Sequence, residues 1–143
     1  MKDKVLITGG NGFVGTRLTR LLCGMFKLKV FVRQFKSKVC VDEGHVVVDI
    51  SGRTQWKEHL NDVNTIVHLA GVAHNKSNVN DYIKNVNVRG TINLAKQAKM
   101  MGVKRFIYIS SISVYGDQSC KPFKESSKVL PQSFSAQCKL EAE

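Results

Sequence analysis

The sequence contains no apolar run approaching the roughly 18 residues of a membrane-spanning helix, so no helical span is expected within it. Its start, MKDKVLITGG, enters a strand-like segment at once. It lacks the apolar stretch and small-residue cleavage site of a secretory leader, and a cytoplasmic protein is the expectation. Cysteine is sparse: Cys23, Cys40, Cys120 and Cys138 form no C-x-x-C pair. Together with the scattered His45, His59, His68 and His74 they give no zinc-ligand spacing, so reduced thiols and no metal site are expected. The only prolines, Pro122 and Pro131, both fall in a polar stretch after Gly116. No internal repeat or low-complexity segment is present.

Acidic residues are also in short supply. With 22 Lys and Arg against 11 Asp and Glu, the formal charge is +11. Such an excess raises the question of nucleic acid. The lysines run from Lys2 to Lys139 without a dense block or interleaved aromatic platforms, which fits a solvated lysine-rich surface rather than a nucleic-acid partner.

What the chain does contain is the composition of one soluble domain: 143 residues, 43 % hydrophobic and 23 % charged. Val5, Leu6 and Ile7 form a short continuous apolar run within Lys4 to Thr8, the mark of a strand buried on both faces of a parallel sheet. From Phe13 to Met25, Val14, Leu18, Leu21, Leu22 and Met25 recur at helical spacing. Further strands are expected over Leu28 to Val32, Val46 to Val48, Thr65 to Leu69 and Arg105 to Ile109. Helices are expected over Thr54 to Leu60 and Asn80 to Met101, and a further one starts near Gln137. Alternating strands and helices predict an α/β fold, a Rossmann-type doubly wound parallel sheet cut short after about five strands.

Thr8-Gly9-Gly10-Asn11-Gly12-Phe13-Val14-Gly15 follows a strand and opens a helix, the context in which a glycine-rich turn binds a dinucleotide. Gly9 and Gly12 let the backbone turn tightly and approach a pyrophosphate, and Gly15 lets the helix lie close to the strand. The helix start at Phe13 and Val14 offers free N–H groups and the positive end of a dipole to the phosphates. Arg33 ends the second strand, where an acidic residue would read the ribose hydroxyls of NAD. Its planar cation, with Lys36 and Lys38 behind, suits the 2′-phosphate of NADP, although an arginine there can also stack on adenine.

Several ordered segments resemble the extended short-chain dehydrogenase/reductase family, in particular its nucleotide-sugar epimerases and dehydratases. They are the TGGNGFVG turn, VVDI ending at Ile50, HLAG from His68 to Gly71, NVRGT from Asn87 to Thr91 and SSISVYG from Ser110 to Gly116. The resemblance spans essentially the whole chain. It implies that Asp49 meets the adenine amino group, with Ile50 beside the ring. It implies that Leu69, Ala70 and Gly71 line the passage toward the nicotinamide and that Asn87 braces the site. Ser111 would bind the sugar oxygen that becomes a carbonyl, Lys139 would bind the nicotinamide ribose, and Tyr115 would be structural.

One position departs from the family. Its base is a tyrosine four residues before the lysine, which lowers the phenol's pKa. Four residues before Lys139 stands Ser135, and no tyrosine follows Tyr115. The expectation is therefore an NAD(P)-binding Rossmann domain over residues 1–143, the front part of a UDP-sugar 4-epimerase-like enzyme without its C-terminal substrate region, and catalytically crippled. The alternatives are a non-catalytic NAD(P) sensor and an NADP-dependent sugar 4-ketoreductase or dehydratase. Dehydration is disfavoured by Ile112 and Ser113, where dehydratases carry an acidic pair. A sheet ending at its fifth strand leaves an edge through which a homodimer is expected.

Overall fold

The computed structural model describes residues 2–34, 45–47, 49–72 and 80–143. Lys36, Lys38, Cys40, Val48 and His74 lie outside them. Five strands, β1 (Lys4–Thr8), β2 (Lys27–Val32), β3 (His45–Val47), β4 (Val63–His68) and β5 (Arg105–Tyr108), form one sheet in the order β3-β2-β1-β4-β5. Every pairing is parallel. This is the doubly wound order, with its switch point between β1 and β4, where chain direction through the sheet reverses. The register aligns Thr8 with Phe31 and with His68, and His68 with Tyr108, in one row at the carboxyl end.

Side chains of β1 alternate between two faces, as the period of a strand requires. Val5 and Ile7 pack with Leu28, Val30, Val32 and Val67 against Leu18 and Leu22 of α1 (Phe13–Leu22). Leu6 points the other way, joining Phe31, Ile66, Trp56, Leu60, Leu94 and Ala98 beneath the long helical segment that follows β4. The rings of Phe31 and Trp56 meet at 5.3 Å.

Three expected helices differ in detail. Residues 54–60 form only a short 3-10 turn, Lys57–His59. The Thr54 hydroxyl accepts from Ser51 N–H and donates to Asp49 O, and Asn93 and Gln97 hold the Thr54 carbonyl. These local side-chain bonds compete with helix for the same backbone groups. The segment from Asn80 is α2 (Asn80–Lys84), a π-helical turn (Asn85–Gly90) and α3 (Thr91–Met100) in direct succession. The last helix, α4 (Phe134–Ala142), begins earlier than expected because Ser133 caps it, its hydroxyl accepting from Ala136 N–H at 3.2 Å.

Cys23 is disulfide-bonded, against the expectation of reduced thiols, whereas Cys120 and Cys138 are free. Among the described residues, no helix is long and apolar enough to cross a membrane.

Candidate functional site

The turn after β1 is built on contacts that leave no room for side chains. Gly9 adopts φ +72°, and a Cβ there would lie 2.8 Å from Ala70 N. The turn therefore rests directly on the chain leaving β4. Gly12 N–H donates to Gly9 O at 3.0 Å, and Thr16 N–H to Gly12 O at 2.9 Å, the first full helical bond of α1. Gly15 is buried against Gly9 and Gly10, so its role is close packing. The side chains of Phe13 and Val14 are exposed and do not line the groove described below. Only their backbone N–H groups, which a first helical turn leaves without intrahelical acceptors, can serve a ligand. Asn11 ties the turn to the exit of β2 by donating to Gln34 O at 2.8 Å.

The exits of β1, β2 and β4 enclose a groove lined by Gly9, Asn11, Gly12, Phe31, Val32, Arg33, Asp49, Ile50, Leu69, Ala70, Gly71, Val72, Tyr82 and Val86. Most of the expected contact residues thus meet in one place. Arg33 is exposed at the rim and donates to Tyr82 Oη at 3.3 Å. Asp49 is exposed nearby, and Ile50 is buried against Gly90, where a Cβ would come within 2.7 Å of Ile50 Cγ2. Phe31, Val72, Tyr82 and Val86 were not singled out from the sequence. Phe31 and Val86 follow the patterns of core residues, and only the groove's shape reveals their second surface.

Asn87 does not line the groove; it is buried behind it. Its Oδ1 accepts from Val72 N–H at 2.8 Å and its Nδ2 donates to Val72 O at 3.0 Å. This two-bond clamp fixes the wall beyond Gly71. The π-helical turn carries Asn87, and such turns recur where a helix must aim one residue at a site.

At the Gly71 end stands Lys139. A Cβ on Gly71 would lie 3.3 Å from Asn87 Oδ1 and 3.6 Å from Lys139 Nζ. Lys139 Nζ donates to Ile109 O at 2.9 Å and sits 4.7 Å from the centroid of the Tyr108 ring. Burial pushes its pKa below the ordinary lysine value. The Tyr108 hydroxyl is buried, and desolvation, with smaller contributions from Glu143 and Cys138, pushes its pKa up to about 12.

Ser111 ends the strand-to-turn passage after β5 and caps the 3-10 turn Ile112–Tyr115, accepting from Ser113 N–H at 3.2 Å. Its Oγ also lies 2.7 Å from Ser113 Oγ. Ser110 donates instead to Glu143. Ser135 occupies the first turn of α4, partly buried, one helical turn ahead of Lys139 and so on the same face. Tyr115 stacks on Phe123 at 5.7 Å, a packing role.

In the sequence His68 reads only as a scattered histidine and as the first residue of the HLAG segment. It is buried, with Nδ1 2.6 Å from Thr8 Oγ1 and Nε2 2.9 Å from Thr91 Oγ1. Burial, aided by the Lys139 charge, holds its pKa down at about 4.

The model of the "NAD dependent epimerase/dehydratase family" matches residues 5–143. A UDP-glucose 4-epimerase of Vibrio cholerae is 37 % identical over 153 aligned positions, covering 100 % of this chain and 46 % of that protein. A UDP-glucose 4-epimerase of Klebsiella pneumoniae is 32 % identical, covering 86 % of this chain and 99 % of that sequence. Among solved structures, a UDP-N-acetylglucosamine 4-epimerase from Methanobrevibacter ruminantium, in complex with UDP-N-acetylmuramic acid, superposes with a TM-score of 0.85 at 27 % identity. The match covers 100 % of this chain and 49 % of that one. A short-chain dehydrogenase/reductase superfamily protein from Agrobacterium tumefaciens with bound NAD superposes with a TM-score of 0.86 at 25 % identity, covering 97 % and 42 %. The chain therefore spans about half the length of most of these relatives.

Proposed function

The chain belongs to the NAD dependent epimerase/dehydratase family, and from that premise we propose that it holds NAD or NADP in the groove at the carboxyl end of its sheet. The activity we assign to the complete enzyme is nucleotide-sugar 4-epimerisation, with a UDP-sugar as substrate. The carrying observation is the crowding of Gly9 against Ala70. A turn whose glycines bring bare backbone to the mouth of a groove, followed by a helix with free N–H groups, is a cradle for a pyrophosphate. The protein seen with NAD and the one seen with a UDP-sugar share this fold.

Gly9, Gly12 and the N–H groups of Phe13 and Val14 hold the phosphates in this reading, with Gly15 seating the helix. Asp49 and Ile50 take the adenine. Arg33, steadied by Tyr82, takes the adenosine ribose or its 2′-phosphate. Leu69, Ala70 and Gly71 form the wall that leads to Lys139, which binds the second ribose. When bound, the nicotinamide supplies a hydride acceptor and donor. The Ser111 hydroxyl, already at the strand end, orients the sugar hydroxyl that is oxidised. The missing component is the acid–base group, because Ser135 is too short and too weak an acid to replace a phenol.

That single substitution also favours a second reading, in which the chain binds NAD(P) as a sensor and does no chemistry. Fluorescence titration with NADH and NADPH tests the common premise, and saturable binding is expected. A folded sample that binds neither would refute it. A preference for NADPH that disappears in Arg33→Ala would give that residue the 2′-phosphate. Epimerisation of UDP-glucose by the unaltered chain would end the sensor reading. Under the epimerase reading, Ser135→Tyr gains turnover, by the 10²–10⁴-fold typical of a positioned acid–base group.

A further inference from the structure

The contacts of His68 fix more than its burial. Thr91 Oγ1 lies 2.8 Å from Asn87 O, to which its single proton donates. Toward His68 Nε2, at 2.9 Å, the same oxygen can then only accept, so Nε2 carries the ring proton. A neutral imidazole has one N–H, which leaves Nδ1 as an acceptor. Thr8 Oγ1, at 2.6 Å, donates to it. The Thr8 oxygen in turn accepts from Ala70 N–H at 3.2 Å. The opposite tautomer would give Thr8 Oγ1 two donors to accept and would strip Asn87 O of its hydroxyl donor. Only one assignment uses every proton.

The resulting chain runs from Ala70 N–H through Thr8, His68 and Thr91 to the carbonyl of Asn87. The side chain of Asn87 then clamps both backbone groups of Val72. Ala70 and Val72 flank Gly71, the residue that faces Lys139. One relay therefore grips the groove wall from both ends, and it crosses β1, β4, the π-helical turn and α3 to do so. The Tyr108 ring stacks on the imidazole at 5.9 Å and closes its outer side.

We propose that Thr8, His68 and Thr91 are positioning residues. They form a directional hydrogen-bond relay, locked in the Nε2–H tautomer, that sets the Ala70–Val72 wall against the cofactor. The link to the cofactor rests on the reading above; the relay itself does not. Three measurements separate the two. Nitrogen-15 shifts of the imidazole in the ligand-free protein report which ring nitrogen is protonated. Amide exchange at Ala70 reports the grip on the wall. NADH titration reports its use.

The expected results are an Nε2–H imidazole at neutral pH and an Ala70 amide that exchanges about tenfold faster in Thr8→Val, the effect of unpairing one buried group. NADH binding weakens by a similar factor in that variant. Thr8→Ser, which keeps the hydroxyl, restores both, and an apolar packing role for Thr8 would not predict that rescue. An Nδ1–H or doubly protonated ring overturns the relay, as does unchanged Ala70 exchange in Thr8→Val. Should Thr8→Val not fold, the tautomer of the unaltered protein still decides. If the unaltered chain binds no NADH, the cofactor reading fails, and the tautomer and exchange results stand on their own.

Discussion

At the scale of single residues, His68 couples the site to pH. Its folded pKa, held down at about 4 by burial, lies below the 6.5 of an exposed imidazole. Above pH 6.5 the ring is neutral in both states, and the stability of the fold does not depend on it. As pH falls toward 4 the unfolded chain takes up a proton that the folded chain refuses, so stability is lost across that window. The full shift corresponds to roughly 3 kcal/mol at one pKa unit per 1.4 kcal/mol. Denaturant titrations at stepped pH should show this decline in the unaltered protein. They should show a shallower one in His68→Gln, which is less stable at neutral pH but has no imidazole to charge. An equal slope in both would assign the acid sensitivity to other groups.

At the scale of elements, the π-helical turn is the device that gives Asn87 its reach. A regular helix through Asn80–Met100 would present its apolar stripe to the sheet, with no demand that a polar residue turn inward. Here Asn87 is buried because both ends of its amide are satisfied by Val72, and a buried amide without partners would cost far more than it contributes. Asn87→Leu fills similar volume but orphans the N–H and C=O of Val72. A loss of about 2 kcal/mol is expected from the unpaired groups, measured by chemical denaturation. NADH affinity should fall with it, because the wall of the groove is what comes loose. Asn87→Asp sets a buried carboxylate oxygen against the Val72 carbonyl, two acceptors with no proton between them, and should lose at least as much at neutral pH.

For the whole molecule, the sheet order places β5 at an edge, and no described strand pairs with its outer side. Ile107, Ile109 and Ile112 are exposed along this margin. Unpaired strand edges with apolar neighbours invite pairing with another chain. A second copy is the partner we expect, and sedimentation at increasing concentration should show a monomer–dimer shift that Ile107→Lys suppresses. A monomer throughout the range would refute it.

The division between sequence and fold follows from the range of the forces involved. Strand identity in β1, β2, β4 and β5 was legible because short apolar runs bounded by polar residues have few other uses. The glycine turn was legible because only glycine tolerates φ +72° with Ala70 N at the distance of a van der Waals clash. Ser135 was legible as a departure because the family the sequence resembles keeps a tyrosine four residues before its lysine, and here Lys139 follows a serine at that spacing. The rest needed the third dimension. Whether Asn87 was exposed or buried and whether residues 54–60 closed into a helix depended on contacts between distant segments. His68 read as a scattered histidine, because nothing local distinguishes it. Its tautomer and its place in the relay come from two threonines on β1 and α3, brought to opposite sides of one ring by the parallel register of the sheet and the helix packed on it. Local periodicity determines which segments become strands and helices; hydrogen bonds between groups far apart in the chain, made in a dry interior, decide what each polar residue is for.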